Sequence, residues 1–377
     1  MPKNLLLAGI PAENPTLFRV VGITAGDPAA WISIDGETTL IIRDIEAERA
    51  RLTGKCQIVH SPADFTPAGG LDADRATATA QAVAEFLVRE GVKEITVDRS
   101  LPFLFAWQLM ERDIRIEYDA DLGVLERRVK SLHEIDNLRN AQKVTEEGIR
   151  YLCELIAHCE VDSEDQLMHA GEILTSEKAR ALAARFFLDR NFSMGHGAIV
   201  ATAPEVADCH HSGTGPLRSG VPIIVDLYPR DDSTRYWGDC TRTVVHGTPS
   251  DTVLAMHAAV CEAKAAGIAM LSPGNTAAEV HQAVIEVQQR HGFKLSRGKV
   301  SDEPTIQHGT GHGIGLEVHE PILLDDGGGR LLEREVFTVE PGLYGRRDGA
   351  VRLEDMVVVA ADGPLNLNHL PTGLDWT

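Results

Sequence analysis

The sequence predicts an α/β domain followed by an α+β domain, with the chemistry in the second. Three observations lead there. Short β-rich runs alternate with helical ones through the first third of the chain; an amphipathic helical pattern restarts at Ser131; and acids and histidines then gather in β-branched or glycine-rich segments. With 377 residues, 43% of them hydrophobic and 24% charged, the chain is long enough for two domains and balanced like an ordinary globular protein. The composition turns charged near Leu125, which sets the expected domains at 1–125 and 126–377.

In the first domain, residues 17–23, 30–34 and 38–42 read as strands around Gly and Asp turns. Residues 75–90 carry Ala, Val, Phe and Leu at helical spacing and stop at Gly91, and further strands follow at 94–97 and 114–118. This domain shows no catalytic constellation. The second opens with Ile135, Leu138, Ala141, Val144, Ile149 and Leu152 at steps of three to five residues, the apolar stripe of a helix. Helices are expected at 164–184, 252–271 and 276–289, the last with Thr276 and Glu279 in capping-box spacing and Gly292 beyond its end. Strands are expected at 221–228, 241–246, 336–343 and 351–360.

Thirty-six basic against 56 acidic residues give a formal charge of −20, which repels a phosphate backbone and argues against nucleic acid as partner. Apolar runs such as 5–10 fall short of a membrane span, and one lysine before so short a run makes a poor signal peptide. A cytoplasmic protein without membrane attachment is expected. Cys56, Cys153, Cys159, Cys209, Cys240 and Cys261 form no CxxC pair and read as reduced thiols.

Five segments place acids or imidazoles in apolar or glycine-rich settings: VPIIVDLY, GDCTRT, QHGTGHGIGLEVHEP, FTVEPGLY and GAVRLEDMVVV. An ionised carboxylate inside a strand core needs a partner, a hydrogen bond or a cation, because desolvating it alone costs at least several kcal/mol. Asp226 ends the run Ile223, Ile224, Val225, and Asp239 follows thirteen positions on (239 − 226), so an antiparallel hairpin would bring the two acids together. Period-two alternation puts Arg352 and Glu354 on one face and Asp355 on the other, so a single member of the Glu-Asp pair faces the site. Glu340 ends FTVE where Pro341 and Gly342 turn the chain away. His308, His312 and His319 are threaded with Gly309, Gly311, Gly313 and Gly315, and glycine lets backbone approach a site closely. Imidazole and carboxylates without thiolates suit Mn, Co, Fe or Zn, and four carboxylates with one histidine offer enough ligands for two ions sharing a hydroxide. Hydrolysis is the expected chemistry.

These segments resemble the pita-bread metallopeptidase family, in its prolidase and aminopeptidase P branch, from about Ser131 to the C-terminus. The resemblance implies a pita-bread catalytic domain, and the first domain is similar to the α/β domain that precedes it in that branch. It implies two divalent ions, with Mn first and Co or Zn as alternatives, bound by Asp226, Asp239, His312, Glu340 and Glu354; Asp226 would use both oxygens, and Asp239 and Glu354 would bridge. It also implies a proton shuttle at Glu340, with His319 and His210 bonding the substrate carbonyl and the tetrahedral intermediate. His210 is preferred over His211 for that place in ADCHHSG. On the substrate side, His308 would orient His312 or line the pocket, Arg352 would neutralise the acids or meet a substrate carboxylate, and Tyr344 would offer a hydroxyl or simply pack.

The substrates implied are proline-containing dipeptides or short peptides cut before proline. The short Glu340-to-Glu354 connection favours an Xaa-Pro dipeptidase, with an Xaa-Pro aminopeptidase as the alternative, and a homodimer is the implied assembly. A metal-binding protein of this fold without turnover is the reading from a different class. One departure stands out: the two aspartates are two positions further apart than the family commonly has them, with Pro229, Arg230, Asp231 and Asp232 inside the loop.

Overall fold

The computed structural model describes residues 4–56 and 58–377, and the chain divides into two compact units, 1–127 and 128–377. The sequence expectation set the boundary at 125/126.

The first unit is a six-stranded mixed sheet in the order β4-β3-β2-β1-β5-β6: β1 (Leu5–Gly9), β2 (Ala29–Ile34), β3 (Glu37–Ile41), β4 (Ile58–His60), β5 (Glu94–Val97) and β6 (Arg115–Tyr118). Alternation along β1 sends Leu6 and Ala8 to one face, against Val83 and Leu87 of the Arg75–Arg89 helix, and Leu7 to the other, with Leu17 and Leu40. Residues 17–23, expected as a strand, lie largely in the helix Pro15–Val21 instead. The flanks decide this: Asn14 caps the helix by accepting the Leu17 N–H at 3.0 Å, Pro15 is pre-set for the first turn, and Gly22 closes it at φ 73°. The β-branched run could not outweigh three agreeing end signals.

In the second unit the helix Leu132–Ala157 starts from a complete capping box of Ser131 and Glu134, and Ala277–Arg290 from one of Thr276 and Glu279. The helix expected over 164–184 begins only at Ser176, capped by Thr175. Before it the chain forms strands Leu167–His169 and Glu172–Ile173, because Asp165 (φ 60°), Ala170 (φ 52°) and Gly171 (φ 79°) adopt left-handed backbone that a helix excludes. The helix Asp251–Ala269 is long and apolar enough to cross a membrane by length and composition, which the search for apolar runs overlooked. Here it lies against Ala277–Arg290 and the strand Gly349–Arg352 and buries Val253, Met256, Val260 and Lys264.

Three sheets carry the candidate site. One is antiparallel, Ala198–Ala201, Pro222–Leu227 and Cys240–Val245. The second has five strands in the order Glu320–Leu324, Gly311–Gly313, Val336–Val339, Asp355–Val358, Leu365–Asn366; the third includes Gly342–Gly345 paired with Gly349–Arg352. The strands expected at 336–343 and 351–360 are therefore each broken, at Glu340-Pro341 and at Leu353-Glu354, and each passes from one sheet to another. Pro341 has no N–H for a ladder, and the Glu354 N–H leaves its own sheet to donate to the Thr241 carbonyl at 3.1 Å. Both breaks fall at an expected ligand.

Candidate metal centre

Strand register brings the acids together. Asp226 pairs with Thr241 across the ladder, so Asp239 lies just beyond the paired stretch on the neighbouring strand. Its peptide is clamped by Gln142 of the Leu132–Ala157 helix, which accepts the Asp239 N–H at 2.8 Å and donates to its carbonyl at 2.7 Å. The helix approaches so closely that a Cβ on Gly238 would lie 2.0 Å from the Thr145 hydroxyl oxygen. Thr241 donates to Glu354 at 2.7 Å, and Asp239, His312 and Glu354 offer ligand atoms all within 4.8 Å of one another.

The histidine fixes what these acids face. His312 Nδ1 lies 3.1 Å from the Gly313 carbonyl, which only accepts, so Nδ1 carries the proton and Nε2 presents a lone pair. Burial and the neighbouring His319 push the imidazole down to about 3, so Nε2 stays unprotonated near neutral pH. That lone pair points at Asp239 Oδ2, 3.7 Å away, and at Glu340 Oε1, 3.5 Å away. Electron-rich atoms facing each other in a buried pocket are reconciled by a proton or by a metal cation between them. The acids are strained without one: burial, then the charges of Glu354 and Asp226 on Asp239 and of Glu340 and Asp226 on Glu354, drives both well above the carboxylate range, and Glu340 is pushed up to about 7 by burial, with Arg352 opposing and Asp226 adding. Among the described residues, Asp226 Oδ1 is buried with no hydrogen-bond partner. The donor set thus fits hard or borderline divalent ions, which Asp226, Asp239, His312, Glu340 and Glu354 would hold. Asp226 Oδ2 already accepts from Arg352 at 2.5 Å, so the two-oxygen binding expected of Asp226 would share one oxygen with a guanidinium.

The remaining sequence candidates resolve into two groups. Arg352 donates to Asp226, to the Tyr344 hydroxyl at 2.9 Å and to the Cys209 carbonyl at 3.0 Å; the Tyr344 hydroxyl in turn reaches His308 Nε2 at 2.6 Å, and His308 Nδ1 lies 2.8 Å from the Gly309 carbonyl. Asp226, Arg352 and Tyr344, all buried, and the half-buried His308 therefore form one connected chain. Of the two alternatives expected of Arg352, its bonds are those of neutralising the acids, and His308 is joined to Tyr344 rather than to His312. Tyr344 uses its hydroxyl inside this chain. At the solvent side, the His319 ring stands edge-on to His312 at 4.2 Å, and His210 is close enough to lower both His308 and His319, behind burial as the main cause. His211 turns away: its Nδ1 accepts the Gly213 N–H at 3.0 Å and lies 4.0 Å from Glu205.

Sequence reasoning missed Gln142, Thr241 and Thr338, whose hydroxyl meets the His312 N–H at 3.1 Å and Glu340 at 3.4 Å. A glutamine on the apolar face of the first helix was the available signal. Tyr228 was also missed; burial and then the charges of Asp226 and Asp239 raise its phenol. A second cluster, His281 with Asp325 and Asp326, is already neutralised by Arg297, 3.0 Å from Asp325 and 3.2 Å from Asp326.

The glycine frame gives a direct prediction. A Cβ on Gly311 would lie 1.9 Å from the Thr338 carbonyl, on the strand that leads to Glu340. Gly311→Ala should destabilise the protein by about 1–3 kcal/mol through overpacking and weaken metal binding. Thermal melts with and without added Mn, paired with metal analysis, check it; an unchanged melt and metal content would show that the two strands can separate freely.

Carboxylates and an unprotonated imidazole on three interlocking β-sheets define a two-metal hydrolase class of site. The chain belongs to metallopeptidase family M24, whose sequence model matches residues 136–361. The Xaa-Pro dipeptidase of Pyrococcus horikoshii is 26% identical over 97% of this chain and 94% of its own length. Xaa-Pro aminopeptidase 1 of Streptomyces coelicolor is 31% identical over 68% of this chain, which corresponds to 55% of that protein. In fold, the chain is similar to the crystal structure of the prolidase from Pyrococcus horikoshii OT3 (TM-score 0.78, 21% identity, 99% of this chain and 95% of that one). It is equally similar to the X-Pro aminopeptidase from Thermotoga maritima MSB8 (TM-score 0.79, 22% identity, 98% and 96%). This is the two-domain pita-bread architecture that the motifs implied.

Proposed function

We propose that this protein is a dinuclear-metal peptidase that hydrolyses the peptide bond before proline, acting as an Xaa-Pro dipeptidase. The observation that carries the reading is the unprotonated His312 Nε2 facing Asp239 and Glu340, an arrangement that a divalent cation would complete. Full-length similarity to the dipeptidase from Pyrococcus horikoshii supports the substrate class. The chemistry that two divalent ions supply when bound is a hydroxide nucleophile near neutral pH and a polarised scissile carbonyl.

The protein's own residues do the rest. Glu340 accepts a proton from the attacking water and returns it to the leaving nitrogen, which in an Xaa-Pro bond carries no hydrogen of its own. His210 and His319 face the carbonyl oxygen and hydrogen-bond it as negative charge grows. The chain from Asp226 to His308 holds one wall of the pocket in a single arrangement. Manganese is the metal of choice in this reading, with cobalt and zinc as substitutes. A cytoplasmic homodimer completes the reading; six cysteines without a disulfide support a reducing compartment.

The test pairs Ala-Pro with Ala-Pro-Ala, using metal-stripped protein with Mn, Co or Zn restored and bound metal counted by mass spectrometry. Turnover of Ala-Pro alone, dependent on restored metal, is the expected result. Cleavage of Ala-Pro-Ala moves the assignment to an Xaa-Pro aminopeptidase, the second reading that the Thermotoga and Streptomyces similarities keep open. Two bound metals with neither peptide cut would refute the function.

A further inference from the structure

His281 lies on the buried face of the helix Ala277–Arg290, with Val280 and Val284, and is only 3% exposed. A buried imidazole has two ring nitrogens to satisfy. Nδ1 lies 3.0 Å from the Thr310 hydroxyl and Nε2 lies 3.3 Å from Asp325 Oδ1. The carboxylate only accepts, so Nε2 carries the proton and Nδ1 accepts the hydroxyl hydrogen of Thr310. Asp325 is fixed in turn, since Arg297 donates to it at 3.0 Å and a Cβ on Gly309 would lie 3.0 Å from its carboxyl carbon. A row of carboxylate, imidazole and hydroxyl thus runs from a surface ion pair into the middle of the histidine segment. None of these groups takes part in the hydrolytic steps above.

Thr310 is the point where that row meets the metal centre. It stands between Gly309 and Gly311, which have no Cβ to stiffen the backbone on either side, and it is itself buried. All three of its polar groups are engaged. The N–H donates to the Leu324 carbonyl at 2.8 Å, the carbonyl accepts the Glu340 N–H at 2.8 Å, and the hydroxyl goes to His281. The Thr310 carbonyl therefore fixes the backbone of Glu340, while His312, two residues further along the same segment, faces Glu340 Oε1 at 3.5 Å. Two of the bonds tie Thr310 to its strand neighbours, and the His281 bond alone ties its side chain to a helix outside the sheets. Loss of that bond leaves the peptide between two glycines free to turn, and the carbonyl under Glu340 turns with it.

We propose that His281 is a positioning residue for the hydrolysis, setting the place of Glu340 against His312 through the Thr310 hydroxyl. The proposal rests on the peptidase reading above and adds to it a residue outside the expected ligand set. The experiment measures kcat and KM for Ala-Pro, bound Mn and Tm for wild type, His281→Leu, Thr310→Val, Thr310→Ser and the double variant of His281→Leu with Thr310→Val. Per bound Mn, kcat should fall about tenfold to a hundredfold in His281→Leu and in Thr310→Val, the cost of a small misplacement at the reacting groups. KM should stay within about twofold, because substrate binding is untouched. Thr310→Ser keeps the hydroxyl and should keep kcat, and the double variant should fall no further than either single one, since both remove the same bond. A kcat for His281→Leu within about twofold of wild type, or losses that multiply in the double variant, overturns the proposal and leaves the peptidase reading intact. A fall that disappears once kcat is counted per bound Mn also overturns it. Should His281→Leu fail to fold, equal kcat in Thr310→Val and Thr310→Ser overturns the proposal by itself. Wild type that cuts no Xaa-Pro peptide with two metals bound refutes the peptidase reading, and the proposal falls with it.

Discussion

Replacing Glu340 with glutamine is expected to lower kcat for Ala-Pro by about a hundredfold to ten-thousandfold, the range that positioned proton transfer contributes. The carboxyl stands where the chain leaves one sheet for another, with its N–H fixed on the Thr310 carbonyl at 2.8 Å and its side chain near the Thr338 hydroxyl. That hinge places Oε1 3.5 Å from His312, at the candidate ion site. Glutamine keeps the length and one ligand oxygen but cannot carry a proton between water and the leaving nitrogen. Steady-state kinetics at saturating Mn, with metal content measured on the same sample, separate loss of shuttle from loss of metal. Turnover within a few-fold of wild type would remove Glu340 from the proton path.

The second large effect falls on stability. Asp355 follows Glu354 but faces the other way, accepting from Arg242 at 2.8 Å, Lys264 at 2.6 Å and Asn366 at 2.9 Å. Burial alone would push its carboxyl up, yet Arg242 and Lys264 outweigh burial and hold it below the usual range. Asp355→Ala leaves two buried cations without their counter-charge, which costs about 3–5 kcal/mol. For a unit of this size that lowers Tm by roughly 10 °C. Below the melt, the folded variant should still bind its metals, because the ligands lie on the opposite face. Loss of both metals at an unchanged Tm would mean that Asp355, not Glu354, faces the site.

How much of this was written in the chain depends on how local each signal is. Capping boxes at Ser131 and Thr276 act within one turn, and both helices begin where they say. The alternation that separates Glu354 from Asp355 is equally local and survives the break between their strands, since Arg352 and Glu354 both reach the acid cluster while Asp355 meets Arg242. Where β-branched content was weighed against end signals, at Val20 and Val21, the Asn14 cap, Pro15 and Gly22 decided, and the strand reading failed. The 164–184 helix failed for a similar reason, since left-handed residues at 165, 170 and 171 are invisible to an apolar count. The partners of Arg352 and His308 were illegible for another cause. Asp226, Tyr344 and Cys209 are far apart in sequence, and only the meeting of separate sheets shows that Arg352 is already engaged. Gln142 is the case between: its polarity on an apolar face was a readable anomaly, but what it grips, the peptide of Asp239, lies 97 positions away.

The two anchors of the segment between the aspartates have an evolutionary meaning. Tyr236 is tied to Glu134 and Trp237 to Leu316, while Asp226 is held by its own ladder and Asp239 by Gln142. The tip between them can therefore lengthen, shorten or exchange charges without dragging either ligand with it. A lineage carrying this scaffold can therefore remodel the tip while the geometry that holds the two acids stands still.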